Sequence, residues 1–292
     1  MDENFNRWMN FYDNIKDPSW PDCANEYEFW SLPTQIQQEI LELHHGSIYV
    51  FLNDQDIEDL SDFQIEHVGN NSETKNLLAD KKFRVGKNFY VYYHPDMVFG
   101  GVGLAQDYPR IVKYLYPTRK FTHCLDWCSG AGFLGFRLLA DEICENVTLM
   151  DCFFPAIEAC KTSIKHMPEQ LQNRVTLVHS DMIDGILDTS SKKFDLVVGI
   201  PPLRQLKKYD NIRYSANAIR LLSNPGLKVH QEFFENIGKY LSDDGIILLQ
   251  KHIELSDVSD FEQFINAGGL KITKLFREKS HPDNYYMEIK HR

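Results

Sequence analysis

The sequence predicts an α/β protein: a seven-stranded, mostly parallel sheet with an antiparallel C-terminal pair, preceded by a small α+β extension. Three observations point there. From residue 121 onward, short apolar runs rich in β-branched residues alternate with amphipathic runs of helical period, a pattern that builds a parallel sheet with helices on both faces. The last two strand-like runs, LKITKLF and NYYMEIK, are too close in sequence for a crossover helix and so must be antiparallel neighbours. Charge marks the extension. Residues 1–75 carry 16 acidic and 3 basic side chains, whereas residues 76–292 carry 26 and 28, so the composition changes near Asn70-Asn71-Ser72.

In chain order, SLPTQIQQEILELHHG reads as a helix, with Ser31 placed to cap, Pro33 in the first turn, Leu32, Ile36, Ile40 and Leu43 on one face and Gly46 as the stop. IYVFL reads as a short strand, and the acidic run Asp54–Glu66 as a solvated face. FRVGKNFYVYYHP reads as a hairpin or a pair of strands, PDMVFGGVGLAQD as a glycine-rich loop, and YPRIVKYLY as a helix leading to Pro117. The alternation then runs strand FTHCLDW, helix GFLGFRLLADEI, strand NVTLMD, helix PAIEACKTSIKHM, strand RVTLVHSD and short helix DGILDT. It continues with strand FDLVVGI, helix HQEFFENIGKYL, strand GIILLQK and helix SDFEQFINAGG before the final pair, whose turn is expected at His281-Pro282-Asp283-Asn284.

No run approaches the roughly 18 apolar residues of a membrane span, and the start MDENFNRWMN lacks the basic and apolar regions of a signal peptide. A cytoplasmic protein is therefore expected. The six cysteines form no C-x-x-C pair and have no metal-ligand spacing, which suits reduced thiols and no metal.

Gly130-Ala-Gly132-Phe-Leu-Gly135 is a complete G-x-G-x-x-G between a strand and a helix, and Asp151 ends the next strand about 20 residues on. The fold class is thus Rossmann-like. A nicotinamide dinucleotide would satisfy that pattern, but Asp126 ends the first strand just before the glycines, where a carboxylate repels pyrophosphate and attracts an ammonium group. S-adenosylmethionine carries such an ammonium. Asp181 follows the third strand, placed to meet an adenine amino group, with Met182 as an apolar contact, and the fourth strand ends in Gly199-Ile200-Pro201-Pro202-Leu203.

Taken together, CLDWCSGAGFLG, LMDCFFPAIEACKTSI, VHSDM, FDLVVGIPPL and GLKVHQEFFENIGKYLSDDGIILLQ resemble the class I S-adenosylmethionine-dependent methyltransferases, and most nearly the small-domain branch with protein glutamine and RNA base methyltransferases. The resemblance covers roughly residues 83–292. It implies a methionine-side loop of Asp126, Cys128, Ser129, Gly130 and Gly132, ribose hydroxyls on Asp151, and adenine beside Cys152, Ser180, Asp181 and Met182, with Gly199 at the end of the fourth strand. Gly135 becomes a helix–sheet packing position. Two departures stand out. Cys128 occupies a position that is usually glycine, and Ile200 one where enzymes methylating planar nitrogens have Asn, Asp or Ser before Pro-Pro-aromatic. The backbone carbonyls of Ile200, Pro201 and Pro202 remain as candidate acceptor-holding groups.

Candidate bases are His94, His179, Tyr209, His230 and His252, and the segment Arg204–Lys228, with six basic residues and one acidic, would lie over the substrate mouth. The expected activity is methyl transfer to a nitrogen of a protein or nucleic acid, with a basic protein or RNA as partner. A small-molecule N- or O-methyltransferase and a non-catalytic binding module are the alternatives.

Overall fold

The computed structural model describes residues 81–85, 89–93, 101–186, 193–202, 227–253, 255–277 and 284–292. The expected N-terminal helix and strand, the 1–75 extension, the turn at 281–283, His94, Leu203, Tyr209 and most of the basic segment lie outside these residues.

Two sheets form. β1 (Lys81–Val85) and β2 (Phe89–Tyr93) pair antiparallel as a hairpin. The main sheet contains β3 (Phe121–Trp127), β4 (Cys144–Asp151), β5 (Val175–His179), β6 (Phe194–Gly199), β7 (Leu241–His252), β8 (Leu270–Arg277) and β9 (Asn284–His291). Its order is β5-β4-β3-β6-β7-β9-β8; the first five strands run parallel, and β9 is inserted antiparallel to both β7 and β8. The fully buried runs Leu196-Val197-Val198 and Ile246–Leu249 show why these strands read as continuously apolar, since each is covered on both faces.

On one face lie α1 (Gly101–Leu115), α2 (Phe133–Ala140) and α3 (Phe154–His166), with a single turn of helix, α4 (Glu169–Gln172), after them. The hairpin docks there through the Tyr92 N–H to Ser163 Oγ, 2.8 Å, and the edge contact of Tyr93 with Phe133. On the other face lie α5 (Lys228–Ile237) and α6 (Ser259–Ala267), where Phe233, Phe234, Ile237, Phe261 and Ile265 fill the second core.

Three expectations about elements need correction. The glycine-rich loop expected through Asp107 is helical from Gly101, and α1 runs on through Pro109. Burial of Tyr108, Ile111 and Val112 against the sheet outweighs the lost N–H and the flexibility of Gly103. The helix expected to reach Leu241 ends at Ile237, because Leu241 is drawn into the sheet opposite Phe194. The short helix expected over DGILDT is a 3-10 turn, Ile183–Ile186.

Candidate functional site

In chain order the strands run outward from β3 through β4 to β5, then return to β6 on the other side of β3. The direction of winding therefore reverses between β3 and β6. Ligands of open α/β sheets bind at the carboxyl ends of the strands beside such a reversal. There the structure brings together the loop after β3 (residues 128–132), Asp151 and Cys152 after β4, residues 180–182 after β5, and Gly199–Pro202 after β6.

The first loop is wound tightly. Cys128, Gly130 and Gly132 all have positive φ, at 56°, 53° and 84°. At Cys128 the main chain thus keeps a glycine-like shape with a side chain attached, a left-handed conformation costing about 1–2 kcal/mol. The loop is tied across the sheet by the Ser129 N–H to the Met150 carbonyl (3.0 Å) and closed on itself by the Gly132 N–H to the Ser129 carbonyl (2.8 Å). A Cβ at Gly130 would meet nothing within 4 Å, so the main chain faces open space there. A Cβ at Gly132 would lie 2.6 Å from the Phe136 ring, and one at Gly135 would lie 2.4 Å from Leu149. Gly135 is thus pressed against β4. Ser129 Oγ is buried and has no hydrogen-bond partner among the described residues.

Asp151 anchors this loop from below. Its Oδ2 accepts the Gly130 N–H and its Oδ1 the Phe153 N–H, both at 2.8 Å. Burial raises its carboxyl above the ordinary value, while the N–H bonds from Phe153 and Gly130 pull it back. The Cys152 N–H pulls in the same direction, and the carboxylate, with about four acceptor sites, keeps capacity for a further donor. Asp126 lies deeper and accepts the Gly135 N–H in the first turn of α2 at 2.8 Å. Burial pushes its carboxyl up to about 8, the Gly135 bond opposes the rise, and the Asp151 charge adds to it.

After β4, Cys152 is exposed and its carbonyl is 3.1 Å from His179 Nε2. After β5 the Ser180 hydroxyl closes its own turn: it donates to the Met182 carbonyl (2.8 Å) and accepts the Met182 N–H (3.3 Å). That engagement leaves Asp181 and Met182 exposed at the mouth, with Phe154 exposed beside His179. At the end of β6, a Cβ on Gly199 would come within 2.3 Å of the Trp127 carbonyl oxygen. Ile200 is half-buried against the first core and Pro201 is buried.

Two features of this region are not legible in the sequence, the pairing of His230 with Lys251 and the bridging hydroxyl of Tyr108. His230, one of the candidate bases, is fully buried with its Nε2 2.8 Å from Lys251 Nζ, inside an aromatic surround that includes Trp127 and Phe261. Burial, aided by Lys251, holds His230 well below its usual range. Burial also lowers Lys251 to about 7, a shift that Cys128 partly offsets. The only hint in the sequence is a lysine directly after the apolar run GIILLQ. The second feature is Tyr108, whose hydroxyl donates to the Gly199 carbonyl (2.9 Å) and accepts the Gln250 N–H (2.7 Å).

No helix among the described residues is long and apolar enough to cross a membrane. The family model of the methyltransferase small domain matches residues 110–266, just over half of the chain. Among solved structures, the chain is similar to the glycopeptide N-methyltransferase MtfA complexed with S-adenosylmethionine, at 14% identity and TM-score 0.48, covering 66% of this chain and 94% of that one. It is also similar to a ribosomal protein L11 methylase from Lactobacillus delbrueckii subsp. bulgaricus, at 13% identity and TM-score 0.46, covering 68% and 83%. No curated protein matches the sequence.

Proposed function

The chain belongs to the methyltransferase small-domain family, and from that premise we propose that it binds S-adenosylmethionine over the ends of β3, β4 and β5 and methylates a nitrogen of a protein or nucleic acid presented at the end of β6. One observation carries this: a left-handed loop with an open face at Gly130 and a buried Ser129 hydroxyl that has no partner among the described residues, held from below by a carboxylate with acceptor capacity to spare. Those groups fit the cofactor. Gly130 admits close approach, Ser129 Oγ and Asp126 are assigned to the methionine end, and Asp151 to the ribose hydroxyls. Cys152, Asp181 and Met182 border the adenine.

S-adenosylmethionine supplies a methyl group already activated on a sulfonium, so alignment of the acceptor is the main task left to the protein. That task falls to the main-chain carbonyls of Ile200 and Pro201, because the Ile200 side chain has no polar atom. The acidic balance of residues 1–75 supports a basic protein as the partner that is drawn in.

Calorimetry with S-adenosylmethionine and with NAD tests the cofactor; saturable NAD binding without S-adenosylmethionine binding refutes the assignment. Methyl-labelled S-adenosylmethionine, offered with lysate before and after protease or nuclease digestion, then identifies the acceptor. Label sensitive to protease or nuclease supports a macromolecule, and label in the small-molecule filtrate overturns it. Ile200 favours one second reading, a cofactor-binding module without transfer, which tight cofactor binding with no labelled product would establish.

A further inference from the structure

The ladder between β6 and β7 has Gly199 opposite Leu249 as its last pair. In a parallel pair the bonds slant forward, so Gln250, one residue on, carries the amide able to reach the Gly199 carbonyl directly. The Tyr108 hydroxyl occupies that place, taking the Gln250 N–H at 2.7 Å and giving its own proton to Gly199 at 2.9 Å. It acts as a spacer one hydroxyl wide. On its other side Gly199 is pressed against β3, where a Cβ would come within 2.3 Å of the Trp127 carbonyl oxygen. The Gly199 carbonyl is thus located by β3 from one side and by α1 from the other.

Tyr108 is itself held firmly. It is fully buried, its ring meets Tyr286 edge-on at 5.4 Å, and its neighbour Asp107 accepts the Tyr286 hydroxyl at 3.3 Å. Burial, with a smaller contribution from the Asp126 charge, disfavours loss of the Tyr108 proton, so the phenol stays a donor to the Gly199 carbonyl at the end of β6.

We propose that Tyr108 is the positioning residue for the methyl acceptor: by spacing β6 from β7 it sets the direction in which Ile200-Pro201-Pro202 leaves the sheet and so aims the carbonyls that hold the acceptor. This rests on the methyl-transfer assignment above. Where related sites hold their acceptor with a polar side chain, this chain has Ile200, and prolines 201 and 202 have no N–H to offer. Main-chain carbonyls must then do the aligning, and their aim depends on Tyr108.

The test uses the full chain and the lysate fraction that accepts label from S-adenosylmethionine. Tyr108→Phe is expected to keep the S-adenosylmethionine Kd within threefold, to change the apparent KM for that fraction by less than threefold, and to lower kcat by about 10- to 100-fold, as misplacement of a reacting pair does. Replacing Tyr108 with 4-aminophenylalanine, which restores a donor and an acceptor at the ring's end, returns kcat to within threefold of wild type. Tyr285→Phe, which removes a different buried hydroxyl, one in the second core that is bonded to Ser256, leaves kcat within twofold. Should Tyr108→Phe not fold, 4-fluorophenylalanine at 108 fills the hydroxyl's space without donating and is expected to lower kcat equally. An unchanged kcat overturns the proposal, as does a parallel loss of kcat and cofactor affinity, which signals general loosening. A wild-type chain that binds S-adenosylmethionine but labels nothing refutes the methyl-transfer assignment itself.

Discussion

Replacing Asp151 with asparagine probes fold and cofactor together. The wild-type carboxylate accepts one half-buried N–H on each oxygen, from Gly130 and from Phe153, both at 2.8 Å. The amide keeps one acceptor and turns the other into a donor facing an N–H. One bond to a charged group, worth about 1.5–3 kcal/mol, is lost, and a half-buried donor is left unpaired at a cost toward the lower end of about 1–3 kcal/mol. Against this, burial already raises the Asp151 carboxyl, so the neutral amide recovers part of the desolvation cost. The bond loss wins, leaving Asp151→Asn about 2 kcal/mol less stable. At about 2–4 °C per kcal/mol for a domain of this size, the Tm falls by roughly 4–8 °C. Ribose binding loses a comparable interaction, and about 2 kcal/mol corresponds to a roughly thirtyfold weaker S-adenosylmethionine Kd. Thermal melts read the first effect, and calorimetry at a temperature where the variant is folded reads the second. A destabilised variant with Kd within threefold of wild type would show that Asp151 only clamps the Gly130 loop, and the ribose assignment would fail.

Three other outcomes follow from the same geometry. Because the folded chain holds Asp126 at about 8 against an ordinary 3.8, it binds a proton that the unfolded chain releases; this contribution to stability is full below pH 4 and is lost as pH rises to 8. Urea midpoints at pH 5 and pH 8 should therefore converge in Asp126→Asn. Lys251 has the opposite sign, lowered to about 7 from 10.5, so its penalty is greatest below pH 7 and relieved as pH rises to 10.5; Lys251→Met should be more stable at pH 7 and lose that upward slope in denaturant titrations. Gly132→Ala puts a Cβ at φ 84° and 2.6 Å from the Phe136 ring, and the left-handed strain plus overpacking should cost about 2–5 kcal/mol, read as a lower urea midpoint.

Several of these features could be read from the sequence because their causes are local. Strands such as FDLVVGI advertise burial on both faces through unbroken apolar runs, and Gly130 and Gly132 advertise a backbone that few other residues adopt. Other features could not. The stretch through Gly101 and Gly103 reads as a loop, yet α1 begins there because Tyr108, Ile111 and Val112 gain more from packing than the backbone loses. Antiparallel pairing of the last two strands was legible from the short connection, whereas the insertion of β9 between β7 and β8 was not, because both orders satisfy the same apolar pattern. Tyr108 meets partners 91 and 142 residues away, and no local spacing carries such information.

The sequence by itself determined the alternation of strands and helices, the glycine motif between the first strand and its helix, and the acidic residues at strand ends, since these depend on side-chain period and on what each backbone position tolerates. Only the tertiary structure decided how the loops at the strand ends are held, that Asp126 and Lys251 are driven toward their neutral forms, and that a tyrosine hydroxyl on α1 bridges β6 and β7. Ionisation follows desolvation, and the bridge rests on hydrogen bonds between distant segments; both are properties of neighbours that meet only when the chain has folded.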